Sequence, residues 1–180
     1  HDGIPPFYRI NLLRYPAEYG AIIVGGPLLF GFGTWRYLPD GTMLPLGTLE
    51  EEGRDIRTRE DVLQTSAELY IRYRWHAFSC CNSRPEHLVK MMEQWRCHGA
   101  VLLEDRGCKA EQCAMAEGRL ALQDAGYPTM LYEASQADPR DFSESQVWDR
   151  FDSFLESFGL TKVAVEDSED GGDAAVASEG

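Results

Sequence analysis

From Gly99 to Phe158 the chain alternates between short apolar runs and amphipathic ones, and that alternation restricts the folds open to it more than any other feature. Ala100 to Leu103 reads as a buried strand and Ala110 to Ala125 as a helix closed by Gly126. Thr129 to Tyr132 reads as a second strand, and Phe142 to Phe158 as an amphipathic helix begun by Ser143 and stopped by Gly159. Such alternation predicts an α/β fold in three layers: a mainly parallel sheet flanked by helices, in a Rossmann-like or flavodoxin-like lobe.

The preceding residues fit the same plan less regularly. Phe7 to Tyr19 has helical spacing in Ile10, Leu12, Leu13 and Tyr15, with Pro16 expected to kink or end its last turn. Ala21 to Val24 reads as a short strand closed by Gly25-Gly26-Pro27. Residues 28–57 form an irregular insertion in which Gly and Pro interrupt Phe30, Phe32, Trp35 and Tyr37; its glycines do not make a dinucleotide fingerprint. Thr58 to about Arg74 predicts a helix, with Thr58 as N-cap, Asp61 closing an imperfect capping box, and Val62, Ala67, Leu69 and Tyr70 as its apolar face. His76 to Arg84 reads as a turn region. Pro85 then opens a helix whose stripe is Leu88, Met91, Met92 and Trp95, ending near His98-Gly99.

With 180 residues, the chain predicts one lobe over residues 1–160 and an acidic, disordered tail over 161–180, where Glu166, Asp167, Glu169, Asp170, Asp173 and Glu179 lie among Gly, Ala and Ser. The opening His1-Asp2-Gly3-Ile4-Pro5-Pro6 reads as a loop leaving a strand that is not present, as in a lobe excised from a longer protein. A net charge of -13 argues against nucleic acid or an anionic membrane as partner. No apolar run approaches the roughly 18 residues of a membrane span, and no signal peptide is visible, so a cytoplasmic setting is expected. Five cysteines, two of them adjacent, do not form a secreted disulfide framework.

Cys108 is the candidate site residue. It lies after the first strand and before a helix, where open α/β sheets collect their ligands. A helix N-terminus, Arg106 and Lys109 would favour its thiolate, suiting a metal ligand or a nucleophile, and an inert loop cysteine is the plain alternative. Cys113 is expected in the core, Cys80, Cys81 and Cys97 are expected to be structural, and no CxxC pair completes a zinc set. A Cys/His hydrolase would draw on His76, His87 or His98, none selected by spacing. Asp138-Pro139-Arg140 reads either as a capped turn or as a place where Arg140 meets a carboxylate or phosphate.

Three segments together resemble the benzoyl-CoA reductase and 2-hydroxyacyl-CoA dehydratase family, in the carboxy-terminal half of a cluster-bearing subunit. Asp105-Arg106-Gly107-Cys108-Lys109 resembles the family's N-R-S-C-K, with Asp and Gly in place of Asn and Ser. Gly126-Tyr127-Pro128 and Glu133 to Ser143 resemble its G-I-P-x-x-x-x-E-G-D-Q-A-D-P-R-N-F-S, with Ala134-Ser135 in place of Gly-Asp; Gly3 to Phe7 resembles its Gly-x-Pro-aromatic turn. The resemblance implies a subunit of an ATP-dependent, oxygen-sensitive enzyme of anaerobic metabolism, a heterodimer with a homologous second subunit. Its 4Fe-4S iron-sulfur cluster, fed with low-potential electrons by a separate ATP-hydrolysing activator, acts on a CoA thioester. The expected reaction is benzoyl-CoA (aromatic acyl-CoA) reduction, with 2-hydroxyacyl-CoA dehydration as the alternative and a non-catalytic partner-binding lobe as a reading of another class. Cys108 takes the position of one of three cysteine ligands of the cluster; the other two are expected upstream, and the chain alone is expected to be inactive.

Overall fold

The structure, a computed structural model, describes residues 1–26, 35–40, 42–45, 47–72 and 84–163. In chain order its elements are a 3-10 helix (Phe7–Tyr19), strands β1 (Trp35–Tyr37) and β2 (Met43–Pro45), helices α1 (Arg59–Arg72) and α2 (Arg84–Gln94), strand β3 (Ala100–Asp105), helices α3 (Lys109–Gln112) and α4 (Met115–Asp124), strand β4 (Thr129–Ala134), a 3-10 turn (Pro139–Asp141) and helix α5 (Glu144–Glu156). The fold is α/β, as the alternation predicts.

β3 and β4 pair in parallel, in register from Ala100 opposite Thr129 to Asp105 opposite Ala134. Successive side chains leave opposite faces of a strand, so one run of apolar residues feeds two cores. Val101, Leu103, Met130 and Tyr132 meet Leu12 and Tyr19 of the first 3-10 helix and Val147, Phe151 and Leu155 of α5. Ala100 and Leu102 turn the other way, to Leu88 and Met92 of α2 and Met115 and Leu122 of α4. These are the three layers. The helix stops also fall where predicted: Gly126 and Gly159 both have positive φ (85° and 77°), a backbone region that glycine enters without steric cost.

Asp2 occupies the far edge of β3. Its N–H donates to the Val101 carbonyl at 2.9 Å, and its carbonyl accepts from Leu103 N–H at 3.0 Å. The predicted strand at Ala21 to Val24 does not form: the segment pairs with no described strand, and Ile22 is 77% exposed. An apolar run needs an open edge to become a strand, and on this side of β3 Asp2 already holds those bonds. The segment before it is a 3-10 rather than an α-helix, retaining Pro16 and ending at Gly20.

The insertion contains a short antiparallel hairpin, β1 with β2, and part of it lies outside the described residues. The capping box of α1 is present: Thr58 Oγ1 accepts from Asp61 N–H at 3.1 Å, and Asp61 Oδ2 accepts from Thr58 N–H at 2.8 Å. Its expected apolar face is not buried at Val62 or Ala67, since among the described residues no other element packs extensively against this helix; Thr65 is buried instead. The turn region at 76–83 and residues 164–180 of the expected tail lie outside the described residues.

The single helix predicted for Ala110 to Ala125 is broken. α3 stops at Gln112, Ala114 turns left-handed (φ 56°), and α4 starts afresh at Met115. Continuing the helix would require the Glu111 and Cys113 carbonyls to accept N–H groups four residues on. At the break both accept instead from the Arg84 guanidinium.

Candidate functional site

The carboxyl ends of β3 and β4 bring together the three segments singled out in the sequence. β3 ends at Asp105, which is 1% exposed and whose Oδ1 accepts the Gly107 N–H at 2.7 Å. That closure reverses the chain, and the Asp105 carbonyl accepts the Cys108 N–H at 3.4 Å and the Gln112 side-chain amide. Cys108 thus becomes the N-cap of α3, in extended backbone, with its carbonyl accepting from Glu111 and Gln112 N–H. Its half-buried thiol takes no part in the capping.

Arg106 does not serve that thiol. Its guanidinium pairs with Glu133, Nη2 to Oε2 at 2.5 Å, because its own N–H bonds the Ala134 carbonyl and so fixes it beside β4. The expected support from Arg106 is therefore spent on the neighbouring strand.

After β4, Ser135 is buried and its Oγ accepts the Asp138 N–H at 3.2 Å. Asp138 Oδ1 accepts the Arg140 N–H at 3.0 Å and so caps the turn; Arg140 in turn pairs with the Asp138 carboxylate at 2.6 Å, which holds that carboxyl down to about 2. Both readings of Asp138-Pro139-Arg140 are met inside the turn: Asp138 caps it, and the carboxylate that Arg140 meets is that of Asp138. The Tyr8 hydroxyl reaches the Ser135 carbonyl at 2.9 Å and the Phe7 N–H reaches the Gln136 carbonyl at 2.9 Å, tying the amino-terminal turn to this loop.

Glu111 is where the three segments join. One carboxylate oxygen accepts the Ile4 N–H at 2.6 Å, and the other accepts the Gln136 side-chain amide. Burial pushes this carboxyl up, reinforced by the charges of Asp105 and Asp2. Behind it Arg84, 2% exposed, pairs with Asp2 at 2.7 Å. Sequence reasoning singled out neither Glu111 nor Arg84 nor Asp2. Charged side chains at such positions look solvated in a linear pattern, and only the pairing of Asp2 with a residue 82 positions away makes them internal.

The other cysteines are placed elsewhere. Cys113, expected in the core, is exposed: the break after Gln112 takes it off the buried face, leaving its Sγ 3.5 Å from the Lys109 carbonyl. Cys97 precedes β3 at its opposite end, half-buried in the wall of an apolar cavity of about 660 Å³, and burial pushes its thiol up. His98 lines the same cavity, at the far end of the strand from Cys108. Cys80, Cys81 and His76 lie outside the described residues. Among the described residues no three His, Cys, Asp or Glu side chains are gathered to hold a metal ion. An iron-sulfur cluster is held by cysteine thiolates. Among the described residues Cys108, a free thiol beside a strand end, has the chemistry of such a ligand.

No helix among the described residues is long and apolar enough to cross a membrane. The family model described as HGD-D, 2-hydroxyglutaryl-CoA dehydratase, D-component, matches residues 2–158. No curated protein matches the chain.

Proposed function

Because the chain belongs to the 2-hydroxyglutaryl-CoA dehydratase D-component family, we propose that it is a lobe of a 2-hydroxyacyl-CoA dehydratase subunit in which Cys108 supplies one thiolate to an iron-sulfur cluster. The observation that carries this reading is the meeting of the three family-like segments at Glu111, beside the turn that presents Cys108. The family match names the dehydratase branch, so a 2-hydroxyacyl-CoA takes precedence over the aromatic acyl-CoA expected first.

When bound, the cluster supplies single electrons of low potential to the thioester. The chain's own part is to hold and tune that ligand. Asp105 and its bond to Gly107 set the turn that orients Cys108. Asp105, buried close to that position, places a negative charge where it disfavours an added electron and so lowers the potential. Tyr8, Ser135 and the capped Asp138 turn hold the adjoining loop. The remaining thiolates, the homologous second subunit and the ATP-hydrolysing activator complete the enzyme in this reading, in a reducing, cytoplasmic setting that keeps its cysteines as free thiols.

The test is an anaerobic assay of the assembled enzyme with its activator and ATP, offered a 2-hydroxyacyl-CoA and benzoyl-CoA in parallel. Dehydration of the first without reduction of the second is expected. Reduction of benzoyl-CoA alone would transfer the chain to the reductase branch, and turnover of neither would overturn both.

A further inference from the structure

We propose that Arg84 and Asp2 form a buried positioning clamp that fixes the Cys108 turn to the edge of the sheet. For its bearing on a cluster, this inference rests on the reading of Cys108 as a ligand. The clamp itself rests on geometry alone. One guanidinium reaches two separate structures: its Nη1 donates to the Glu111 carbonyl at 2.6 Å and the Cys113 carbonyl at 2.8 Å, while its Nε and Nη2 donate to Asp2 Oδ2 at 3.1 and 2.7 Å. Asp2 is in turn bonded through its backbone to Val101 and Leu103 of β3, so the clamp uses the sheet as its reference frame.

The Cys108 turn needs such an outside hold. α3 has four residues, too few for a helix to sustain itself by its own hydrogen bonds, and the left-handed Ala114 cuts it off from α4. Two of the carbonyls left over at that break are the ones Arg84 caps. A planar fork of donors can serve two carbonyls and a carboxylate at once, which a lysine ammonium on a flexible stem does not reproduce. A metal ligand has to be held to within about 0.5 Å of its working position, and this clamp is a buried device at the site that joins the Cys108 turn to a rigid element. Arg84 and Asp2 are therefore positioning residues.

The test is alkylation of the reduced, metal-free chain with iodoacetamide, read cysteine by cysteine by mass spectrometry, in the wild type, Arg84→Lys and Asp2→Asn. Cys97, at the opposite end of β3, is the internal reference. In Arg84→Lys the ratio of Cys108 to Cys97 labelling should rise about tenfold, the factor for one lost charge-assisted hydrogen bond. Asp2→Asn, which keeps an acceptor for the guanidinium, should raise it less, and it serves as the reading if Arg84→Lys does not fold. Amide exchange should quicken at residues 111–115 while Leu102, Leu103 and Tyr132 keep their protection. A ratio unchanged in both variants overturns the clamp. So does an equal rise at Cys97, which would make Arg84 a prop of the whole fold. If instead Cys108→Ala keeps all its iron after reconstitution, the ligand reading fails and the labelling result still decides the clamp.

Discussion

The two ends of β3 each carry a cysteine three residues off the strand, Cys97 before it and Cys108 after it, and the surroundings of the two have little in common. Cys97 lies among Met91, Met92, Trp95 and Phe158 in an apolar wall, where burial pushes its thiol up. Cys108 lies beside buried Asp105 and Glu111, in a turn held by Arg84, where two loops and the amino-terminal segment converge. A cysteine's surroundings therefore depend on the end of the strand it occupies: strands of a parallel sheet deliver loops at their carboxyl ends, where different segments can combine their polar groups.

That contrast can be broken at either end separately. The largest effect is expected from Arg84→Ala, which leaves the Asp2 carboxylate buried without its cation and should cost about 3–5 kcal/mol in urea unfolding. At the other end, Gly99→Ala would set its Cβ 2.7 Å from Phe158 Cζ, 2.8 Å from Phe154 Cζ and 3.1 Å from the Pro128 carbonyl. Displacing those rings should cost about 1–3 kcal/mol and raise Cys97 labelling while leaving Cys108 as it was. The smallest effect belongs to the exposed Asp138 turn. Its carboxyl is lowered from 3.8 to about 2 by Arg140, so its contribution is complete above pH 4 and fades as pH falls toward 2. Amide exchange of Arg140 and Phe142 should show that loss, Asp138→Asn should abolish its pH dependence, and Cys97 labelling should follow neither.

The sheet was legible because it is local: Ala100 to Leu103 and Thr129 to Tyr132 are short apolar runs bounded by turn residues, and burial on both faces demands such runs. The structure carries them on to Asp105 and Ala134, since strand pairing extends through polar residues that face a partner in register. The stops at Gly126 and Gly159 and the box at Thr58 and Asp61 were legible for the same reason, each being settled within a few residues. What pattern reading missed is non-local. Ala21 to Val24 has the composition of a strand, yet the bonds on that side of β3 go to Asp2, and the carbonyls at the break before Ala114 are capped by the distant Arg84. Around the proposed site, the position of Cys108 between a strand and a helix was legible, whereas the Arg84–Asp2 pair has no local signature.

The two cysteines also offer the most direct test of whether the carboxyl end of β3 is the metal-binding end. The assembled enzyme, reconstituted anaerobically with iron and sulfide, should turn brown and hold a stoichiometric cluster in the wild type and in Cys97→Ala. In Cys108→Ala the iron content and the cluster absorption should fall sharply. Full iron retention in Cys108→Ala, or its loss in Cys97→Ala with Cys108 intact, would contradict the account.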